Sequence, residues 1–76
     1  MRNEPYKKFC ELLIQERQKA DITQADLSAR LKRPQSFVSK YERGERRLDV
    51  VELRDVATAI GFDPVKFLTS FYREIA

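Results

Sequence analysis

The side chains best suited to binding a ligand lie close together in the sequence, between residues 24 and 47. Residues 30–47 contain seven lysines and arginines but two glutamates, a net charge of +5, whereas the remainder holds eight basic and ten acidic residues, a net charge of −2. Gln24, Gln35 and Ser39 add amide and hydroxyl groups to the same stretch. Such a basic concentration on a small protein favours a polyanionic partner. The alternative is a basic surface that is simply solvated.

Residues that carry out catalysis or bind metal ions are scarce. The chain has no histidine and Cys10 is its one cysteine, which excludes Cys/His zinc sites and histidine-based acid–base catalysis. The sequence also lacks a nucleophile–base set and a glycine-rich phosphate loop. We therefore expect no enzyme, no catalytic residue, no metal and no cofactor. A lone cysteine fits a reducing cytoplasm, and no apolar run approaches the length of a membrane span.

Two short helices joined by a tight turn are expected to position the basic stretch. Thr23 is a preferred helix-capping residue, and Asp26 three positions later completes a variant of the capping box. The pattern predicts a helix over residues 24–31. Pro34 cannot continue that helix but suits the start of another, which we predict over residues 35–43.

The second of these helices has two different faces. Val38 and Tyr41 form an apolar back, whereas Gln35, Ser36 and Lys40 lie on other faces. A helix that buries its back and presents amides, hydroxyls and amines at its front suits the major groove of DNA.

Helical periodicity continues on both sides of this pair. Apolar spacing predicts a helix over residues 5–20. Asp49 with Glu52 at the capping-box position predicts another over residues 50–60, and Asp63–Pro64 opens a last one over residues 64–75. The predicted buried faces comprise Tyr6, Phe9, Leu13, Arg17 and Ala20 in the first helix, and Val50, Leu53, Val56, Ala57 and Ile60 in the fourth. Glycine is scarce and no alternating β pattern occurs, so we predict an all-α protein with a single domain over residues 1–76.

The run TQADLSARLKRPQSFVSKYERGERR, followed by DVVELRDVATAIG, resembles the phage repressor and Cro-like helix-turn-helix family, often called XRE-like. The resemblance covers roughly residues 9–68. Its most specific elements are Thr-Gln and Gln-Ser at the starts of the two short helices, and Glu-Arg-Gly before a basic loop. It implies a compact five-helix bundle of the lambda-repressor-like type. It also implies a dimer that binds a palindromic operator in double-stranded DNA and regulates transcription, typically as a repressor.

The resemblance assigns roles to individual residues. It implies contacts to DNA bases from Gln35, Ser36, Ser39 and Lys40. It implies contacts to DNA phosphates from Gln24, Arg33, Arg43, Arg46 and Arg47. It also implies a structural ion pair between Arg17 and Glu42 that ties the first helix to the end of the third. The chemistry is suitable, because an amide pairs bidentately with adenine and the start of a helix attracts an anion.

The chain departs from the family pattern in the turn and just after it. Lys32 stands where the family normally has glycine, so a non-glycine residue is expected to take a left-handed backbone unless the turn closes differently. Pro34 stands where a serine or threonine cap is usual. Phe37 replaces a small polar residue; it either packs near the end of the second helix, which we favour, or touches a thymine methyl group.

The last helix carries more apolar residues than one docking face needs. Phe67, Leu68 and Phe71 are expected to pack against the first helix, leaving Tyr72 and Ile75 without a place in the core. Clustered exposed apolar residues usually mark an interface, so we predict a homodimer with Phe71, Tyr72 and Ile75 in its interface. The alternative is a helix packed fully on its own core, with the Tyr72 hydroxyl reaching water.

The expected function is sequence-specific regulation of transcription in the cytoplasm. Within that reading, the protein could be an antitoxin or a controller protein that regulates its own operon, with a possible partner protein. The alternative from a different functional class is a protein-interaction module that keeps the fold without reading DNA.

Overall fold

The computed structural model describes residues 4–76, which form five helices and no strand. The structure confirms the all-α class and has five helices where the sequence predicts them, with three bounds shifted by one residue. Helix α1 lies one residue earlier than predicted, and α3 ends one residue sooner. None of the helices in this part of the chain has the length and hydropathy needed to cross a membrane. The helices are α1 Glu4–Lys19, α2 Gln24–Leu31, α3 Gln35–Glu42, α4 Val50–Ile60 and α5 Pro64–Ile75.

Local sequence fixes where two helices begin through reciprocal hydrogen bonds. The Thr23 hydroxyl accepts from the Asp26 backbone at 3.0 Å, and the Asp26 carboxylate accepts from the Thr23 backbone at 3.1 Å. Asp49 and Glu52 form the same capping box at the start of α4, at 2.7 and 3.0 Å. Each box satisfies two backbone N–H groups that a helix start leaves unpaired.

The turn between α2 and α3 closes without glycine. Lys32 takes the left-handed backbone itself, at φ 57° and ψ 43°, and its N–H donates to the Ala29 carbonyl. The Arg33 N–H donates to the Ser28 carbonyl at 3.0 Å. Pro34 occupies the N-cap of α3 without a side-chain hydrogen bond. The departures in the turn therefore leave the start of α3 where the sequence predicts it.

The buried apolar residues form one cluster to which all five helices contribute. Helix α2 packs on α3 and α4, while α1 packs on α3 and α5. The Phe9 ring contacts those of Phe67 and Phe71, with centroids 5.9 and 5.4 Å away. Two predictions of burial are wrong. Val50 is 74% exposed because it occupies the first helical position after the cap, and Ala20 is exposed because α1 has already ended.

Candidate nucleic-acid interface

Helix α3 presents a polar front and anchors itself through a buried back. Phe37, Val38, Tyr41 and Glu42 are its buried residues. Of the four residues expected to contact bases, Gln35, Ser36 and Lys40 are exposed to solvent and Ser39 is half-buried. The Ser39 hydroxyl donates to the Ser36 carbonyl at 3.3 Å.

An ion pair between α1 and α3 fixes the end of this helix. Arg17 Nε donates to Glu42 Oε2 at 2.7 Å, and Nη2 donates to Oε1 at 3.1 Å. Arg17 Nη1 also donates to the Ile22 carbonyl at 2.8 Å. The side chains are 13% and 4% exposed, respectively. The hydrogen bonds to Glu42 raise the pKa of Arg17.

Gln24 joins the same arrangement from the start of α2. Its Nε2 donates to Glu42 Oε1 at 2.8 Å, so the carboxylate of Glu42 orients the amide. A primary amide has two N–H groups, and this contact uses one of them. No protein acceptor among residues 4–76 takes the other, and the backbone N–H groups at the start of a helix attract negative charge.

Two arginines share one carboxylate on α4 and one aromatic ring on α3. Arg46 donates to both oxygens of Glu52, at 2.9 and 2.8 Å, and Arg33 approaches Oε2 at 3.5 Å. Their guanidinium carbons lie over the Phe37 ring, 4.3 Å from its centroid for Arg33 and 4.8 Å for Arg46. The hydrogen bonds from Arg46, followed by that from the Asp49 backbone, lower the pKa of Glu52 to about 2. We call Arg33, Phe37, Arg46 and Glu52 the arginine clamp.

The remaining cations of the basic loop differ in their surroundings. Arg43 donates to Glu45 at 2.9 and 3.1 Å in an exposed pair. The guanidinium of Arg47 lies over the Tyr6 ring, 4.4 Å from its centroid, while the Tyr6 hydroxyl accepts from the Leu48 backbone at 3.1 Å. Four of the five expected phosphate-contacting side chains therefore contact a carboxylate of the protein itself, the exception being Arg47.

Comparison with known proteins identifies the family. A family model for the helix-turn-helix matches residues 13–67. The structure of an XRE-family like protein from Pseudomonas syringae pv. tomato str. DC3000 shares 47% sequence identity and a TM-score of 0.92, with 99% of this chain and 92% of that chain covered. The chain belongs to the XRE family of helix-turn-helix proteins. This is a family of non-enzymatic, DNA-binding transcription regulators.

Other solved structures share the fold of this XRE-family chain at lower identity. The restriction-modification controller protein C.Esp1396I is 22% identical with a TM-score of 0.83, and the alignment covers 95% of both chains. A point mutant of that controller protein is 24% identical with a TM-score of 0.83, over 95% of this chain and 91% of that one. No curated protein sequence matches the chain.

Sequence reasoning missed two residues that organise the basic face of this XRE-family chain. Glu52 was expected only as a capping residue, yet it also contacts the arginines of the clamp. Tyr6 was expected only on the buried face of α1, yet it lies beneath Arg47. The capping-box pattern that locates Glu52 carries no signal for a partner 19 residues away, so no local motif reveals the clamp.

The expected dimer residues divide between core and surface. Phe71 is 8% exposed and packs within the protomer, whereas Tyr72 is 60% exposed and Ile75 is also exposed. The expectation for the interface is therefore narrowed to Tyr72 and Ile75. Both line a groove of about 410 Å³ between the start of α1, the start of α4 and the end of α5, together with Val50 and Leu68.

Proposed function

We propose that this chain is a sequence-specific regulator, of the repressor type, that reads the major groove of double-stranded DNA with α3. The observation that carries the proposal is the orientation of that helix. Glu42 anchors its buried end to Arg17, while Gln35, Ser36 and Lys40 share its exposed front. Donors and acceptors on a fixed helix front suit base edges in the groove, and we assign base contacts to these residues and Ser39.

We assign the flanking positive groups to the phosphate backbone. Gln24 offers one N–H at the start of α2. Arg33 lies just before α3, and the other three arginines follow it: Arg43, Arg46 and Arg47. Contacts of this kind fix the position of a protein on DNA without reading its sequence. A solvated basic face would not need an amide oriented by a buried carboxylate, and this detail favours an anion-binding role for Gln24.

We further propose that the regulator is a homodimer on a palindromic operator. Tyr72 and Ile75 expose apolar surface beside a groove that Val50 and Leu68 extend, and a second copy of this chain would cover it. A two-fold dimer presents two recognition helices one helical turn of DNA apart, as two half-sites require.

Two narrower roles fit the same chemistry. An antitoxin would add a partner protein, and a controller protein would regulate its own operon; the genes adjacent to this one distinguish them. A protein-interaction module that no longer reads DNA is the competing class. Selection of binding sites from random duplexes separates the classes, because enrichment of a symmetrical sequence supports the regulator and absence of any enriched sequence contradicts it.

Gln35→Ala tests base reading. We expect a loss of about 1–3 kcal/mol on the selected duplex and a relaxed preference at one position of each half-site, because a base loses its amide partner. Titration of the selected duplex, of single-base variants and of a random duplex measures the effect. Equal weakening on selected and random DNA would contradict the assignment.

Arg47→Ala tests contact with the DNA phosphates, as Gln35→Ala tests contact with a base. Arg47 is exposed and pairs with no carboxylate among residues 4–76, so its removal leaves the ion pairs of the basic face intact. We expect weaker binding to all sequences alike and a salt-dependence slope that is flatter by about one. An unchanged slope, measured over a series of salt concentrations, would exclude Arg47 from the phosphate contacts.

A further inference from the structure

The carboxylate of Glu52 contacts two of the arginines that we assign to DNA phosphates, Arg33 and Arg46. Glu52 contacts Arg33 at 3.5 Å and holds Arg46 through two hydrogen bonds of 2.8 and 2.9 Å. The Glu52 side chain is 13% exposed, whereas both arginines are 40% exposed. The carboxylate therefore lies inside the arginine clamp and the cations form its outer surface.

The clamp leaves one edge of Arg46 available. Within residues 4–76, Nη1 donates to Glu52 and to the Arg47 carbonyl, and Nη2 donates once, to Glu52. A guanidinium has five N–H groups in a rigid, planar fork, so the Nε–H and the second Nη2–H remain. These two groups lie on the Nε–Nη2 edge and can take a phosphate bidentately while Glu52 retains the adjacent Nη1–Nη2 edge.

Glu52 also limits the charge of this surface. Two guanidinium groups and one carboxylate sum to a single positive charge, and the low pKa of Glu52 keeps it ionised at neutral pH. Binding to DNA of arbitrary sequence depends almost entirely on positive charge. Binding to a selected site also depends on geometry, and side chains that are already held lose less conformational entropy on binding.

We propose that Glu52 is a positioning residue that determines specificity: it presets Arg33 and Arg46 on the Phe37 ring for the cognate site and restrains charge-driven binding to other DNA. The inference rests on the proposed function of the XRE-family chain. Glu52 acts through the arginines and makes no contact with DNA itself.

Glu45 provides a matched comparison. It pairs with Arg43 at 2.9 and 3.1 Å, but both side chains are 55% exposed, and no aromatic ring lies beneath Arg43 in residues 4–76. An exposed pair of this kind holds a side chain only weakly. Neutralising Glu45 therefore changes the net charge by the same amount as neutralising Glu52 but leaves the arginine clamp intact.

The test compares the intact protein with its Glu52→Gln and Glu45→Gln variants on a selected duplex and a random duplex of equal length. Glutamine preserves the capping box, because its amide oxygen still accepts from the Asp49 N–H. For Glu52→Gln we expect about threefold tighter binding to the random duplex, unchanged or weaker binding to the selected duplex, and thus a specificity ratio that falls at least threefold. For Glu45→Gln we expect both affinities to rise together and the ratio to stay constant.

A second measurement detects positioning without DNA. Nitrogen-15 relaxation of the Arg46 guanidinium should show a rigid group in the intact protein and in Glu45→Gln, and a mobile one in Glu52→Gln. An Arg46 group equally mobile in all three proteins overturns the inference, as does a Glu52→Gln specificity ratio equal to that of Glu45→Gln. If the intact protein selects no sequence, the proposed function fails as well; if it selects a site and the ratio does not change, this inference alone fails.

Discussion

Glu42→Ala is expected to destabilise the protein by about 3–5 kcal/mol, the usual consequence of leaving one member of a buried ion pair alone. Arg17 would keep its charge in a place where its side chain is 13% exposed, with the Ile22 carbonyl as its remaining partner. Gln24 would lose its acceptor as well. A domain of this size has a total stability of only roughly 4–11 kcal/mol, so the loss is a large fraction of the whole.

Urea unfolding of the single and double variants at Glu42 and Arg17 measures the coupling between them. The exposed pair of Arg43 and Glu45 serves as control, because its hydrogen bonds are of similar length, 2.9 and 3.1 Å, but its coupling should be about 0–1 kcal/mol. If the alanine variant does not fold, Glu42→Gln replaces it in the same unfolding measurements. A coupling energy for Arg17 and Glu42 no larger than that of the control pair would contradict this account.

The parts of the fold that the sequence predicts well depend on short-range chemistry. Thr23 with Asp26, and Asp49 with Glu52, locate two helix starts because both partners lie within one turn. The order of the five helices follows from such signals and from apolar spacing. Apolar spacing alone is less reliable at a helix end: the spacing of Val50 suits the buried face of α4, but Val50 is the first helical residue after the Asp49 cap and is 74% exposed.

In the candidate nucleic-acid interface, too, the sequence predicts the features that depend on local spacing and misses one that depends on tertiary packing. The exposed front of α3 follows from the helical arrangement of Gln35, Ser36 and Lys40, which the sequence alone provides. The arginine clamp does not, because Arg33 and Glu52 lie 19 residues apart and meet only when α4 packs on α2. The division of Phe71 from Tyr72, by contrast, follows from the helical spacing of Phe67, Leu68 and Phe71, and the structure places Phe71 against Phe9 as that spacing predicts.

The dimer can be tested without damage to the core. Deleting residues 70–76 would remove Phe71, which packs on Phe9, so loss of folding would confuse the result. Substituting both Tyr72 and Ile75 with glutamate instead places two charges on side chains that are already exposed. Val51→Glu is the control, since Val51 is 53% exposed and does not line the groove.

The paired variant Tyr72→Glu with Ile75→Glu should sediment as a monomer at concentrations where the intact protein and Val51→Glu are dimers. Its affinity for the palindromic duplex should fall by about 10²–10⁴, because the second half-site is no longer bound at the high effective concentration that a linked partner provides. Its affinity for a single half-site should change little, because α3 is untouched. An intact protein that remains monomeric well above micromolar concentration and selects a site without symmetry would show that Tyr72 and Ile75 have another role.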